Sequence, residues 1–350
     1  MRLATFNVEW FDALFDAQDR LLADDAPSKR LGVSRRAQAE AIASVLRGLD
    51  PDAILILEAP NQGARSGRST VAALEHFAER YALRQRTALV GFGSPTHQEI
   101  ALMLDPERIS ARHDPMGERC AAEEALADPL EPFDPERWGR PFPGAPRFDG
   151  AAAWRAAPEA APEKIRFSRP PLEAALVWRP SGRAFRLIGF HLKSLRPRAE
   201  QDPQSVRRRH LGQCVWLRGR IDEHLTVGDA VIALGDLNQR TAVEAEEPAT
   251  FGRRGRTTLI EPPAIPLGPR ERRLWCGPSE RGVRRPTVHW REPDGRPAAA
   301  RVDEILISSE LWPLNPRWRV WNADAEAPTD LRDALDAASD HSPITLDLEI

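Results

Sequence analysis

The sequence predicts an α/β protein, and two observations carry that prediction. Short apolar runs of strand length are interleaved with longer segments of helical periodicity instead of being segregated from them. Several of these runs also end on, or open with, an Asn, Asp, Glu or His, a placement that gathers polar side chains where rigid strands converge.

Taken in order, RLATFNV (2–8) alternates enough to form a strand, and SRRAQAEAIASVLRGLD (34–50) has helical spacing with Ser34 as its cap. DAILILE (52–58) is a buried strand, and STVAALEHFAERY (69–81) is a helix. EIALMLD (99–105), LEAALVW (172–178) and AFRLIGFHLKS (184–194) follow as strands, and SVRRRHLGQCVWLRGRIDEHL (205–225) as a long helix. AVIALGD (230–236), VDEILIS (302–308) and PITLDLEI (343–350) complete the strands. Two segments break this rhythm, 106–165, rich in Pro, Ala and Glu, and 240–300, rich in Pro and Arg. Neither has the periodic apolar positions of a second core, so the expectation is a single domain, 1–350, with two long loop insertions. No internal repeat is visible.

At 41% hydrophobic and 29% charged residues, the 350-residue chain can bury a sizeable core and is not a disordered polymer. No apolar stretch is long enough to span a bilayer, and the MRLATFNVEWF start lacks the basic and apolar regions of a signal peptide. The expectation is a chain that begins at Met1, works in the cytoplasm and does not insert into membranes. Cys120, Cys214 and Cys276 are widely spaced and suggest neither a disulfide framework nor a zinc site. A formal net charge of −3 gives no global attraction to nucleic acid, although arginines cluster in 196–210, 252–256 and 270–273. Lysine occurs only at Lys29, Lys164 and Lys193, so a general Arg-for-Lys bias weakens each run as a signal.

The polar residues at strand ends are Asn7, Glu58, His191, Asp236 with Asn238, Asp303, and Asp340 with His341. Taken singly, each has a structural explanation: Asn and Asp form turns, and a lone His commonly sits satisfied in a core. Taken together, carboxylates, imidazoles and carboxamides without a Cys or Ser constellation suit a hard divalent cation, Mg2+ or Mn2+, and a phosphate substrate.

At these positions the chain resembles the endonuclease/exonuclease/phosphatase superfamily, which includes deoxyribonuclease I and the exonuclease III type of apurinic endonuclease. ATFNVEWF, ILILEAPN, ALMLDPERI, FSRPPLEAAL, FHLKS, LGDLNQR, RVDEILIS and SDHSPITLDL occur in the family's order and cover almost the whole chain. The resemblance implies a four-layer α/β/β/α sandwich of two mixed sheets. It also implies metal-dependent hydrolysis of phosphodiesters by an activated water. Carried over, Glu58 is the principal metal carboxylate, Asn7 assists at the metal or phosphate, and Asp340 is a second metal or water-positioning carboxylate. Asp236 orients or deprotonates the water, and Asn238 holds a phosphate oxygen or the nucleophile. His341, oriented by Asp303, donates to the phosphate or leaving oxygen, and His191 is a second phosphate donor. Arg169 and Lys193 are candidate phosphate contacts. The pattern departs at Leu57, where the family often has Gln, and in having Tyr81, on a helix, as its only tyrosine, which leaves no counterpart to the active-site Tyr of apurinic endonucleases. His191 in FHLKS brings the chain nearer the deoxyribonuclease I style of site.

The expected substrate is nucleic acid, supported by the arginine runs and by Trp275 and Trp290 among them, which are candidates for base stacking. The alternatives are a phosphatase or phosphodiesterase acting on a small molecule or lipid headgroup, and a binding protein that has lost catalysis. The presence of every acidic residue in the motifs speaks against the last. No protein partner is inferable.

Overall fold

The computed structural model describes residues 1–62, 67–94, 96–115, 167–195, 202–239, 274–276, 285–291, 294–322 and 328–350. The arginine runs at 252–256 and 270–273, and Cys120, lie outside them, as does most of both expected insertions.

Two six-stranded mixed sheets form the centre. The first holds β1 (Arg2–Asn7), β2 (Ala53–Ala59), β3 (Thr87–Val90), β4 (Glu99–Leu104), β13 (Arg317–Val320) and β14 (Ile344–Asp347), in the order β13-β14-β1-β2-β4-β3. The second holds β5 (Ile109–His113), β6 (Leu172–Trp178), β7 (Arg183–His191), β8 (Val231–Asp236), β9 (Trp275–Cys276) and β12 (Asp303–Ile307), in the order β5-β6-β7-β8-β12-β9. In each sheet one central pair is parallel, β1 with β2 and β7 with β8, and the other pairings are antiparallel. A separate hairpin joins β10 (Val288–Arg291) to β11 (Pro297–Ala300).

Strand alternation sorts the core into layers. In β2, Ala53, Leu55 and Leu57 join a cluster with Leu176, Leu187, Leu234 and Ile305 of the second sheet, so this face packs sheet on sheet. Ile54 and Ile56 point the other way, to Ile42, Val45, Leu46 and Leu49 of α1 (Arg35–Leu49), Phe77 of α2 (Thr70–Arg80) and Leu335 of α4 (Thr329–Ala338). The outer face of the second sheet, with Ile188, Phe190 and Ala233, packs on Cys214, Leu217 and Ile221 of α3 (Pro203–Thr226). The result is the four-layer α/β/β/α sandwich. Close contact between the sheets depends on Gly189 in β7, where an added Cβ would lie 2.5 Å from Leu55 of the opposite sheet.

Helix starts follow local chemistry: the Ser34 hydroxyl accepts from Ala37 N at the start of α1, and the Ser69 hydroxyl from Ala72 N at the start of α2. Several elements differ from expectation. β3, β13 and helix α4 form where no element was expected, and β5 lies in the first of the expected insertions. The segment 240–300 contributes β9, which adds to the edge of the second sheet beside β12, and the β10–β11 hairpin. These strands are short and lie at sheet edges or outside the two sheets, too short to show a readable alternating pattern.

A candidate phosphoesterase site at the strand ends

The two parallel pairs fix the site. The C-terminal ends of β1 and β2 carry Asn7 and Glu58, and those of β7 and β8 carry His191 and Asp236. The register places His191 opposite Asp236 and, on the other side of Asp236, Asp303 at the start of β12. Because β14 runs antiparallel beside β1, the residues leading into it, Asp340 and His341, continue past Asn7.

Six of the expected residues are joined by direct contacts. Asn7 Nδ2 donates to Asp236 Oδ2 at 3.3 Å, and His191 Nε2 lies 3.4 Å from the same oxygen. The Asn238 backbone N–H donates to Asp236 Oδ1 at 2.6 Å, and its side-chain amide donates to Asp236 Oδ2 and Leu192 O, both at 3.1 Å. Asp and Asn two apart thus close one turn, which Asn238 completes in the left-handed region (φ 52°), tolerated by Asn. His341 Nδ1 pairs with Asp303 Oδ2 at 2.8 Å. Donor atoms of Asp236, Asp303 and His341 all lie within 4.8 Å of one another, a candidate metal group.

Glu58 reaches the same region differently. It sits at φ 56° at an irregularity in the β2–β4 register between Leu57 and Ala59, a bulge that turns its side chain out of the sheet's alternation. Its Oε2 accepts from Trp10 N at 3.0 Å. Burial raises its pKa, opposed by that hydrogen bond and by the charges of Arg169 and His341, while nearby Asp340 raises it further. Asp340 Oδ1 is 4.0 Å from His341 Nε2.

The ionisation pattern separates roles. Burial opposes a charge on His341, but the Asp303 carboxylate outweighs it by charge and hydrogen bond, with Asp236 and Asp340 adding, and raises its pKa to about 10. The pairing with Asp303 thus favours the charged form of His341, which suits it to donate a proton. Burial, then the charges of Arg169 and His341, push His191 well below the usual range, so it is neutral. Burial and the Asp303 charge raise Asp236, against His341 and the Asn238 N–H.

Arg169 is tied into the scaffold. Its guanidinium donates to Gln98 Oε1 at 3.1 Å, His191 O at 3.3 Å and Leu192 O at 2.8 Å, bracketing the strand end that carries His191. Lys193 is half-buried, with Nζ donating to Ser194 O at 3.3 Å and its backbone N–H to Gln213 Oε1 at 2.7 Å. Trp290 lies on β10, two residues after Val288, which bridges to His341. The Trp275 side chain lies outside the described residues.

Three supporting residues escape sequence reading. The buried Thr287 hydroxyl accepts from the backbone N–H of both Val302 and Asp303, each at 3.0 Å, and so aims Asp303. The buried Ser339 hydroxyl donates to Asn7 O at 2.7 Å and accepts from His341 N at 3.0 Å, tying the two strand ends together. Gly235, at φ +141°, precedes Asp236 with a built Cβ only 1.8 Å from Phe190 O. A lone Thr or Ser carries no sequence signal for such a role; the Gly in LGD was the one legible hint.

No protein-family model matches the sequence, and no curated protein matches it. Solved structures do. A humanized D. rerio TDP2 carrying 14 mutations is 15% identical, with 99% of this chain and 98% of that chain covered at a TM-score of 0.50. The 3' phosphatase NExo from Neisseria, bound to product DNA hairpin, is 13% identical over 100% of both chains at 0.49, and the human Nocturnin catalytic domain with bound sulfate anion is 13% identical over 99% of this chain and 93% of that one, also at 0.49. With its two face-to-face mixed sheets and flanking helices, the chain has the deoxyribonuclease I-like fold of the endonuclease/exonuclease/phosphatase superfamily.

Proposed function

We propose that the protein is a divalent-metal-dependent phosphodiester hydrolase that cleaves nucleic acid by attack of an activated water on phosphorus. The observation that carries the reading is the convergence of Asp236, Asp303 and the Asp303-paired His341 at one end of the strands. A general base, a proton donor and hard oxygen ligands are thereby held in one place.

The donor set fits Mg2+ or Mn2+. Asp236 and Asp303 are buried carboxylates that repel each other, a conflict a cation relieves, and the buried Asn7 Oδ1 and Asp303 Oδ1 accept no hydrogen bond among the described residues. Asp236 and Asp303 on one sheet, with Glu58, Asn7 and Asp340 on the other, are the residues that would hold the ion. When bound, it polarises the phosphoryl oxygens and favours deprotonation of water.

The chain's own groups do the rest. Asp236 orients the attacking water and accepts its proton, and Asn238 fixes the Asp236 carboxylate through its backbone and side-chain amides. His341, charged and oriented by Asp303, donates its Nε2 proton to the phosphoryl or leaving oxygen. Neutral His191 is the second donor beside Asp236, and Lys193 is the candidate for a more distant phosphate.

The test is hydrolysis of plasmid DNA, single-stranded DNA, RNA and bis(p-nitrophenyl) phosphate with Mg2+, Mn2+ or EDTA, with the Asp236→Ala variant as contamination control. EDTA-sensitive cleavage of nucleic acid that the variant loses is the expected result. Turnover of the small ester alone would move the substrate to a small-molecule or lipid phosphoester, and variant activity equal to wild type would overturn the site.

A further inference from the structure

We infer that Trp10, with Lys29 beside it, forms a stacking subsite for a nucleobase next to the reacting phosphate. The inference rests on the nucleic-acid reading above and deepens it.

Five large hydrophobic side chains are exposed among the described residues, Trp10, Leu31, Val177, Val227 and Trp312, and Trp10 is the one whose backbone touches the proposed site. The residue is 45% exposed, although it leads directly into a 3-10 turn, Phe11–Leu14, whose Phe11 and Leu14 are fully buried. Lys29 Nζ stands over the ring, 5.5 Å from its centre. With the ammonium over one face of the indole, the other face is the stacking surface for a base, and the ammonium gives the neighbouring phosphate a positive charge.

The position is built, not incidental. Trp10 adopts φ 56°, a left-handed conformation that a bulky residue rarely takes, and persists there because its surroundings over-determine it. Its N–H is fixed on Glu58, Gln38 Nε2 donates to Glu9 O at 3.1 Å, and Arg30 pairs with Glu9 Oε2 at 2.7 Å while donating to Asp336 O at 2.9 Å. Arg30 thus anchors the residue next to Lys29 and the residue next to Trp10 together. Strain maintained by this many contacts, for a side chain left in solvent, is spent on where the indole stands.

The experiment compares kcat/KM of the full chain, with Mg2+ or Mn2+, on a single-stranded DNA oligonucleotide and on an abasic phosphodiester oligomer of the same length. In Trp10→Ala the ratio of base-bearing to abasic efficiency falls by roughly tenfold, mainly through KM, as expected for one lost stacked base, whereas Trp10→Phe retains most of it. If both efficiencies fall together, the Trp10 side chain acts only by shaping the turn whose backbone N–H holds Glu58, and the inference is overturned. An unchanged ratio with undiminished rates overturns it as well. Wild-type protein that cleaves DNA while the ratio stays constant removes this inference alone; wild-type protein that cleaves no nucleic acid removes the nuclease reading and the inference with it.

Discussion

Glu58 and Trp10 share a single hydrogen bond, and each pays for its place with a positive φ, a concentration of backbone strain where the chemistry is proposed. At this scale the site makes sharp predictions. Replacing Asp236 or His341 by Ala should lower turnover on the order of a hundredfold or more with the fold intact by circular dichroism, as loss of a general base or charge stabiliser does. Asp303→Asn tests the His341 charge. The Asp303 carboxylate raises the His341 pKa to about 10, and activity that needs the imidazolium is lost as pH rises through that value. Without the carboxylate the pKa falls, so the alkaline limb of the kcat/KM profile should move to lower pH by more than about one unit. An alkaline limb that stays in place would show that His341 does not act as the charged donor. Gly235→Ala meets both a positive φ and the Phe190 carbonyl, and should cost on the order of 3 kcal/mol or more in denaturant unfolding.

Between elements, the β10–β11 hairpin matters through its root. Thr287 N donates to Ala300 O, Ser342 N donates to Thr287 O at 2.6 Å, and the Thr287 hydroxyl holds the N–H groups that open β12. Thr287→Val keeps the volume and removes the acceptor, leaving two buried N–H groups unpaired at a cost of about 1–3 kcal/mol. Because one of them is the N–H of Asp303, the rate should fall further than stability accounts for, which thermal melts alongside turnover would reveal. Helix α3 covers the second sheet through Cys214, Leu217 and Ile221, and it carries a buried polar array in which Arg220 and His224 both meet Glu173 of β6, at 2.7 and 3.2 Å. The element was legible from its length and periodicity, whereas this array was not, since its partners come from a strand some fifty residues earlier. Burial pushes the Cys214 thiol up to about 12, so it is an inert packing group, in keeping with the absence of any metal or disulfide pattern.

For the molecule as a whole, two buried groups outside the proposed chemistry set opposite pH limits on stability. Burial raises Glu99 to about 8, despite N–H bonds from Gln62 and Ser94, and Asp12 adds to the rise. The folded state then keeps a proton that the unfolded chain loses near 4.5, so stability declines as pH climbs from about 4.5 to 8. Burial lowers His113 to about 4, so the unfolded chain takes up a proton first and stability declines as pH drops from about 6.5 to 4. Glu99→Gln should flatten the alkaline decline and leave the acid one, measured as unfolding midpoints across that range; an unchanged alkaline slope would show that Glu99 is not its source. Among the described residues no helix is long and apolar enough to cross a membrane.

The sequence by itself determined the interleaved α/β order, the strands with two buried faces and the polar residues at their ends. β2 is the clearest case, because AILILEA serves a core on each side and so reads as a continuous apolar run. Edge strands such as β3 and β13 were not legible, since Val90 and Val320 are their only buried residues, and α4, TDLRDALDAA, has a helical spacing at Leu331, Ala334, Leu335 and Ala338 that is half alanine and confined to ten residues, a weak signal. The tertiary structure alone decided which polar residues meet. Asp236 faces Asp303 and His191 because of strand register, His341 reaches Asp303 because β14 returns beside β1, and Thr287 and Ser339 become supports only where distant backbones arrive at their hydroxyls. Register and crossing are set by packing between sheets, a long-range free energy that local residue pattern does not carry.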